Sequence, residues 1–161
     1  MIKLSSVVTP PLYLGFDPGK DKCGLALVDS QNTIHWHQVI PTEQVTATLK
    51  TICKITDQTG GQSLDETGET ISIDCIILGD QTQSKYWKNV LQTTLPNLKI
   101  VTIDERYSSL EARSRYWEMY PPSLWQRLIP QGLRQPPRPV DDIVAIVLVE
   151  RYLGKLESPQ V

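Results

Sequence analysis

Hydrophobic residues come first in short unbroken runs and later at helical spacing. Leu12–Phe16 is an apolar run that ends on a lone carboxylate, Asp17; a Pro18-Gly19-Lys20 turn follows, and after Gly24 a second run, Leu25–Val28, begins. Asp29–Asn32 is a turn cluster, and Thr33–Ile40 resumes the pattern. Runs of this length between Gly, Pro and Asn predict three antiparallel strands in a meander. From Thr42, placed to cap it, to about Thr56, a helix is predicted with Val45, Leu49, Ile52 and Thr56 along one side. Ile71–Leu78 reads as a mostly apolar strand closed by Gly79-Asp80, and Gln83–Leu95 as a helix packed through Trp87, Val90, Leu91 and Leu95. A last strand, Lys99–Ile103, runs straight into Asp104–Ser109. Ser108 and Glu111 have the spacing of a capping box for a helix that stops before Pro121-Pro122. Asp141 and Asp142 then open an apolar helix, Ile143–Leu153.

This order predicts an α/β domain: a mixed five-stranded sheet, three strands antiparallel and then two parallel, with helices on both faces. At 161 residues, one domain with a real core is expected over the whole chain. Three stretches fall outside the regular pattern. Residues 1–11 read as a loose tail, and residues 57–70 as a mobile, Gly-rich acidic loop. Residues 121–139 hold six prolines and read as a loop with one helical turn around Leu124–Leu128. No run approaches the length of a membrane span and no signal peptide opens the chain, so a cytoplasmic protein is expected. Cys23, Cys53 and Cys75 are too far apart for a metal motif and fit reduced thiols.

The net charge of -2 gives no global pull on nucleic acid, so any such pull must be local. Between Arg113 and Pro139 there are five arginines (113, 115, 127, 134 and 138) against one acid, Glu118. Arginine forks suit phosphate oxygens. Arg106, Arg113, Arg115, Arg134 and Arg138, with Lys20 and Lys22 in the first turn, are the candidate nucleic-acid contacts. Tyr107, Tyr116, Trp117 and Trp125 interleave with the arginines and are placed to stack on unpaired bases, or else turn into the core. His35 and His37 share a strand face, but no third ligand is evident and they read as structural.

Acids fall at the ends of elements that such a sheet brings together. Asp17 ends the first strand, Asp80 follows the fourth, Glu105 follows the fifth, and Asp141 and Asp142 start the last helix. Each has a plain alternative: a turn residue at Asp17 or Asp80, a Glu105–Arg106 pair, or a complement to the helix dipole at Asp141 or Asp142. Gathered together they repel one another unless divalent cations intervene, and hard oxygen donors suit Mg2+ or Mn2+. Two such ions can clamp the attacking and leaving oxygens of a phosphoryl displacement.

Three motifs carry a specific resemblance. Gly15-Phe16-Asp17-Pro18-Gly19, followed by Gly24, is similar to the opening motif of RuvC-like Holliday junction resolvases and of the related YqgF family. Asp104-Glu105-Arg106-Tyr107-Ser108-Ser109 resembles the YqgF signature Asp-Glu-Arg-Leu-Thr-Thr, with serines for the threonines. Val140-Asp141, Ala145 and Tyr152-Leu153 resemble that family's terminal helix. The resemblance spans about residues 12–153 and implies an RNase H-like fold and a metal-dependent endonuclease using two ions. It places Asp17, Glu105 and Asp141 at the catalytic acid positions. Asp142 competes with Asp141: counting back from Tyr152-Leu153 favours Asp141, whereas the Asp-x-x-Ala spacing of the resolvases favours Asp142. Asp80 stands where YqgF proteins commonly have the Leu of Gly-Leu-Pro, and is a candidate added metal ligand. The implied substrate is the 5′ end of pre-16S ribosomal RNA, with branched DNA as the alternative. The apolar segments are accounted for by one sheet and its helices, so a monomer or weak homodimer is expected. Kinases of the actin type share Asp-x-Gly, but they need a second phosphate loop and a longer chain. A decayed nucleic-acid-binding module is the remaining rival, and the intact acids speak against it.

Overall fold

The computed structural model describes residues 10–57, 73–81 and 83–158. Residues 1–9 of the tail expected over 1–11, and residues 58–70 of the acidic loop expected over 57–70, lie outside the described residues. Three strands, β1 (Leu12–Asp17), β2 (Lys22–Asp29) and β3 (Ile34–Pro41), form the antiparallel meander. A 3₁₀ turn, Thr42–Gln44, leads into α1 (Val45–Asp57). There follow β4 (Ile73–Gly79), α2 (Ser84–Thr94), β5 (Lys99–Ile103) and α3 (Ser108–Met119). A four-residue helix, α4 (Leu124–Arg127), and a second 3₁₀ turn, Gln131–Leu133, precede the long closing helix α5 (Asp141–Glu157). The sheet order is β3-β2-β1-β4-β5, with β4 parallel to both β1 and β5. This is the mixed, RNase H-like sheet that the pattern and the resemblance imply.

Period-two alternation sorts the strand residues onto two cores. Leu12, Leu14 and Phe16 face one side with Leu25, Ile76 and Leu78, against Leu49 of α1 and Trp87 and Leu91 of α2. Phe16 and Trp87 meet edge to face, their ring centroids 5.1 Å apart. Tyr13, Ala26, Val28, Cys75 and Ile77 face the other side, against Tyr116 and Trp117 of α3 and the run Ile143–Val149 of α5. Gly15 and Gly24 lie on this second face. A Cβ at Gly15 would overlap the carbonyl of Ala145, and one at Gly24 the carbonyl of Asp141. Two glycines therefore let the α5 backbone lie directly on β1 and β2, which fixes where its first turn stands.

Local details depart from the sequence pattern where tertiary contacts intervene. β2 begins at Lys22, before the apolar run, because Gly24 pairs with Asp17 in the ladder. Thr42 caps no helix; Pro41 takes the cap position, and the Thr42 hydroxyl donates to the Gly19 carbonyl at 3.4 Å. Ser108 and Glu111 form no capping box either. The cap of α3 is Tyr107 in the left-handed conformation (φ 63°), Ser108 is buried, and Glu111 accepts from Arg151. The capping box that does form, Ser123 with Gln126, opens α4. Trp117 is buried in the α5 core, as is Tyr116, so neither is available for bases or for a partner chain; Tyr107 and Trp125 are exposed. No helix among the described residues is long and apolar enough to cross a membrane.

Candidate nuclease site

Parallel pairing of β1, β4 and β5 brings their carboxyl ends to one edge of the sheet. Asp17 is the last residue of β1, and Glu105 lies two residues beyond β5 on the face covered by α5. Between them β4 ends on Gly79, where a Cβ would fall on the Glu105 carboxylate. The absent side chain at 79 thus lets Glu105 reach back across β4 to Asp17. Asp80 fixes the approach from below, since its Oδ1 accepts from the Glu105 backbone N–H at 3.1 Å. The turn from Glu105 to Ser108 closes by a Ser108 N–H bond to the Glu105 carbonyl (2.9 Å), with Tyr107 held at positive φ. A non-glycine residue there costs on the order of 1 kcal/mol, compensated by packing. Arg151 of α5 binds the same turn, donating to the carbonyls of Asp104 (2.6 Å) and Arg106 (2.8 Å) and to Glu111.

The electrostatics of the pair are severe. Burial, the Glu105 charge, a hydrogen bond that protonated Asp17 gives Glu105, and the charge of Asp141 push the Asp17 carboxyl up to about 8. Burial also raises Glu105, and Asp80 adds to it. Glu105 is 3% exposed, and its Oε1 has no hydrogen-bond partner among the described residues. An orphaned buried carboxylate oxygen is costly, and a neighbouring carboxylate makes it more so.

The sequence model of a family described as RuvX, Holliday junction resolvase, matches residues 11–155. The chain belongs to the RuvX family. That family is one of nucleases, so the protein is a hydrolase acting on nucleic acid, and nucleases of this kind generally use divalent metals. The match runs from β1 into α5 and includes every acid of the site. No curated protein matches the chain.

Against this RuvX frame the two adjacent acids of α5 separate clearly. Asp141 is half-buried and close enough to Asp17 to raise its pKa. Asp142 is 2% exposed and fully engaged. Its Oδ2 lies 2.6 Å from His37 Nδ1, and its Oδ1 accepts from Arg138 (2.9 Å) and from the Ile143 N–H (3.0 Å). The Arg138 guanidinium also lies over the rings of Tyr116 and Tyr120, while Tyr120 Oη lies 3.4 Å from His37 Nε2. His37 thus has a structural partner, as does His35, whose Nε2 lies 2.8 Å from Asp29. Among the described residues no group of three or more His, Cys, Asp or Glu side chains is placed to hold a metal ion.

Several candidate phosphate contacts are already occupied. Arg115 pairs with Glu118 and Glu150, Arg106 with Asp104, and Arg138 with Asp142. Arg134 donates to the carbonyls of Gln126, Ile129 and Arg127. Lys20, Lys22 and Arg113 are exposed.

Three residues are not read as part of the site from the sequence: Gly79, Arg151 and His37. Gly79 is read there only as a strand end and His37 only as structural, while Arg151 stands beside Glu150 in the mostly apolar last helix. Gly79 supports a direct prediction. Gly79→Ala puts a methyl where the Glu105 side chain lies, so that side chain must move aside. The variant is expected to fold with a nearly unchanged melting temperature and to lose about 100-fold in cleavage rate, the usual result of misplacing a reacting group by an ångström. Full activity in Gly79→Ala would mean that Glu105 does not work from this position.

Proposed function

We propose that the protein is a divalent-metal-dependent endonuclease that hydrolyses phosphodiester bonds in structured nucleic acid. Asp17, Glu105 and Asp141 would hold the ions, with Mg2+ or Mn2+ as the cofactor. The observation that supports this most is the pairing of half-buried Asp17 with buried Glu105, which carries an orphaned oxygen on Glu105 and an Asp17 carboxyl pushed up to about 8. Such a pair fits a hard cation, because magnesium is commonly held by one or two carboxylates, with waters and substrate phosphate filling its shell. When bound, the ions supply an activated water and neutralise the charge developing on the phosphate, leaving a 5′-phosphate and a 3′-hydroxyl.

Each side chain then has a defined task. Asp17 and Glu105 present oxygens from the sheet edge, and Asp141 presents one from the first turn of α5. Asp80 positions Glu105 by accepting from its backbone N–H, and would be the added ligand for a second ion. Asp142, tied to His37 and Arg138, positions the turn that carries Asp141. Lys20, Lys22 and Arg113 are the exposed cations available for phosphate.

For the substrate, the YqgF resemblance supports the 5′ end of pre-16S ribosomal RNA, and the form proposed for the enzyme is a monomer or weak homodimer in the cytoplasm. The family's description favours a second reading, a four-way DNA junction. A junction needs paired cuts by a two-fold dimer, whereas an RNA end needs one site. The test compares cleavage of both substrates at equal salt, with the mass in solution measured at the same protein concentration. Cleavage of the RNA precursor is expected with magnesium or manganese and is expected to fade with calcium, whose looser shell misplaces the reacting oxygens. Undiminished cleavage in excess chelator would overturn the metal mechanism. A tight dimer nicking the junction symmetrically, with the RNA left whole, would establish the second reading.

A further inference from the structure

Between α3 and α5 the chain turns its apolar side chains outward. Leu124, Trp125, Leu128, Ile129 and Leu133 fall within ten residues and are exposed at 78, 81, 76, 44 and 73%. Single exposed apolar residues are ordinary, but a contiguous group of this kind marks a contact surface. The segment is also held in shape. Ser123 and Gln126 cap α4 reciprocally, and Arg134 closes the loop by donating to the carbonyls of Gln126 (2.8 Å), Ile129 (2.8 Å) and Arg127 (3.2 Å). Side chains presented on a fixed frame lose little freedom when something docks on them. Residues 134–140 join this projection to Asp141, and Arg138 within them is bonded to Asp142.

Charge decides what docks. Residues 119–140 contain three arginines and no acid, and Arg127 is exposed on α4 itself. A second copy meeting this surface across a two-fold axis would set like charge against like. Unpaired nucleotides offer what the projection lacks: a negative phosphate for the exposed Arg127 and flat apolar faces for the side chains. An indole stacks on bases of any sequence, and aliphatic side chains wedge between base steps. We propose that the α4 projection receives unpaired bases beside the cleavage point, so that the enzyme selects nucleic acid in which paired and single-stranded segments meet. This rests on the nuclease reading above and narrows its substrate class.

The test uses the full chain in calcium, where binding can be measured without cutting. Wild type, Trp125→Ala and Leu128→Ser are each titrated with an RNA hairpin carrying a single-stranded flank and with the same hairpin blunt-ended. Both side chains are exposed, so both variants are expected to keep the wild-type melting temperature. Trp125→Ala is expected to weaken binding of the flanked hairpin by about 5- to 150-fold, the range for one lost base stack, and Leu128→Ser to weaken it in the same direction. The blunt hairpin should bind all three proteins alike. Unchanged affinities in a wild type that still cuts RNA in magnesium would overturn the projection's role and leave the nuclease reading standing. A wild type that binds neither hairpin would overturn the projection's role on RNA and turn the nuclease reading to the four-way DNA junction. A dimer that becomes a monomer in the variants would assign the surface to a second copy. Loss of binding to vesicles of anionic lipid, with hairpin binding intact, would assign it to a membrane.

Discussion

Asp17→Asn is expected to lower cleavage by about 1,000-fold or more, while making the metal-free protein more stable. The substitution keeps the volume and removes the charge. If Asp17 holds an ion, the lost transition-state stabilisation amounts to about 4 kcal/mol or more. The stability gain follows from the same carboxyl. Burial and the charges of Glu105 and Asp141 raise its pKa from 3.8 to about 8, so the folded chain holds a proton that the unfolded chain releases. A group raised in this way contributes its stability in full below the unfolded value, and loses it as pH rises towards the folded value. Asn has no such loss. The melting temperature of Asp17→Asn should therefore match wild type at acid pH, pull ahead through neutrality, and lead by a constant margin above about pH 8. Magnesium should raise the wild-type melting temperature and narrow the gap, because only the charged site gains from the ion. Scans at several pH values, with and without magnesium, check all of this. A variant that turns over like wild type would remove Asp17 from the reaction. A melting-temperature difference independent of pH would show that Asp17 is not the group holding the proton.

Much of this architecture is legible in the residues because the sheet is built from short runs and the helices from spaced ones. Lys99–Ile103 is read to the residue, and the Asp17, Glu105 and Asp141/Asp142 positions follow from strand and helix ends. Local capping rules fail where the site imposes its own geometry. The chain after Glu105 must turn sharply to leave that carboxyl inside, so Tyr107 takes the left-handed cap and Ser108 is buried. Gly79 is invisible for a different reason. Its role is to leave space for a side chain 26 positions away, and nothing local announces that. The aromatics of the basic region divide by tertiary packing alone. Trp117 sits under α5 while Trp125, eight residues on, stands in solvent. The apolar projection of α4 is likewise a surprise, since a pattern of hydrophobic residues predicts burial and Leu124, Leu128 and Leu133 are exposed.

The choice between Asp141 and Asp142 is the finest such case, and it yields the second large prediction. Neighbours on a helix point about 100° apart, so a sequence match good to one residue cannot choose between them. Their surroundings differ sharply. Asp142 is buried against His37 and Arg138, whereas Asp141 acts on Asp17. Asp141→Asn is expected to cost about 1,000-fold in cleavage with no loss of stability, since it deletes a like charge from beside Asp17. Asp142→Ala should fail in the opposite sense. It leaves Arg138 and His37 without their carboxylate, and breaking a buried pair in this way costs about 3–5 kcal/mol. Arg138 keeps part of its surface in water, so the lower end of that range, or somewhat less, is expected here. The urea midpoint should fall markedly for Asp142→Ala and hold for Asp141→Asn. Cleavage per folded molecule should fall most for Asp141→Asn. The reverse pattern, a stable but inactive Asp142→Asn beside an active Asp141→Asn, would move the metal ligand to Asp142. His37 and Arg138 would then be contacts that this carboxylate exchanges for the ion.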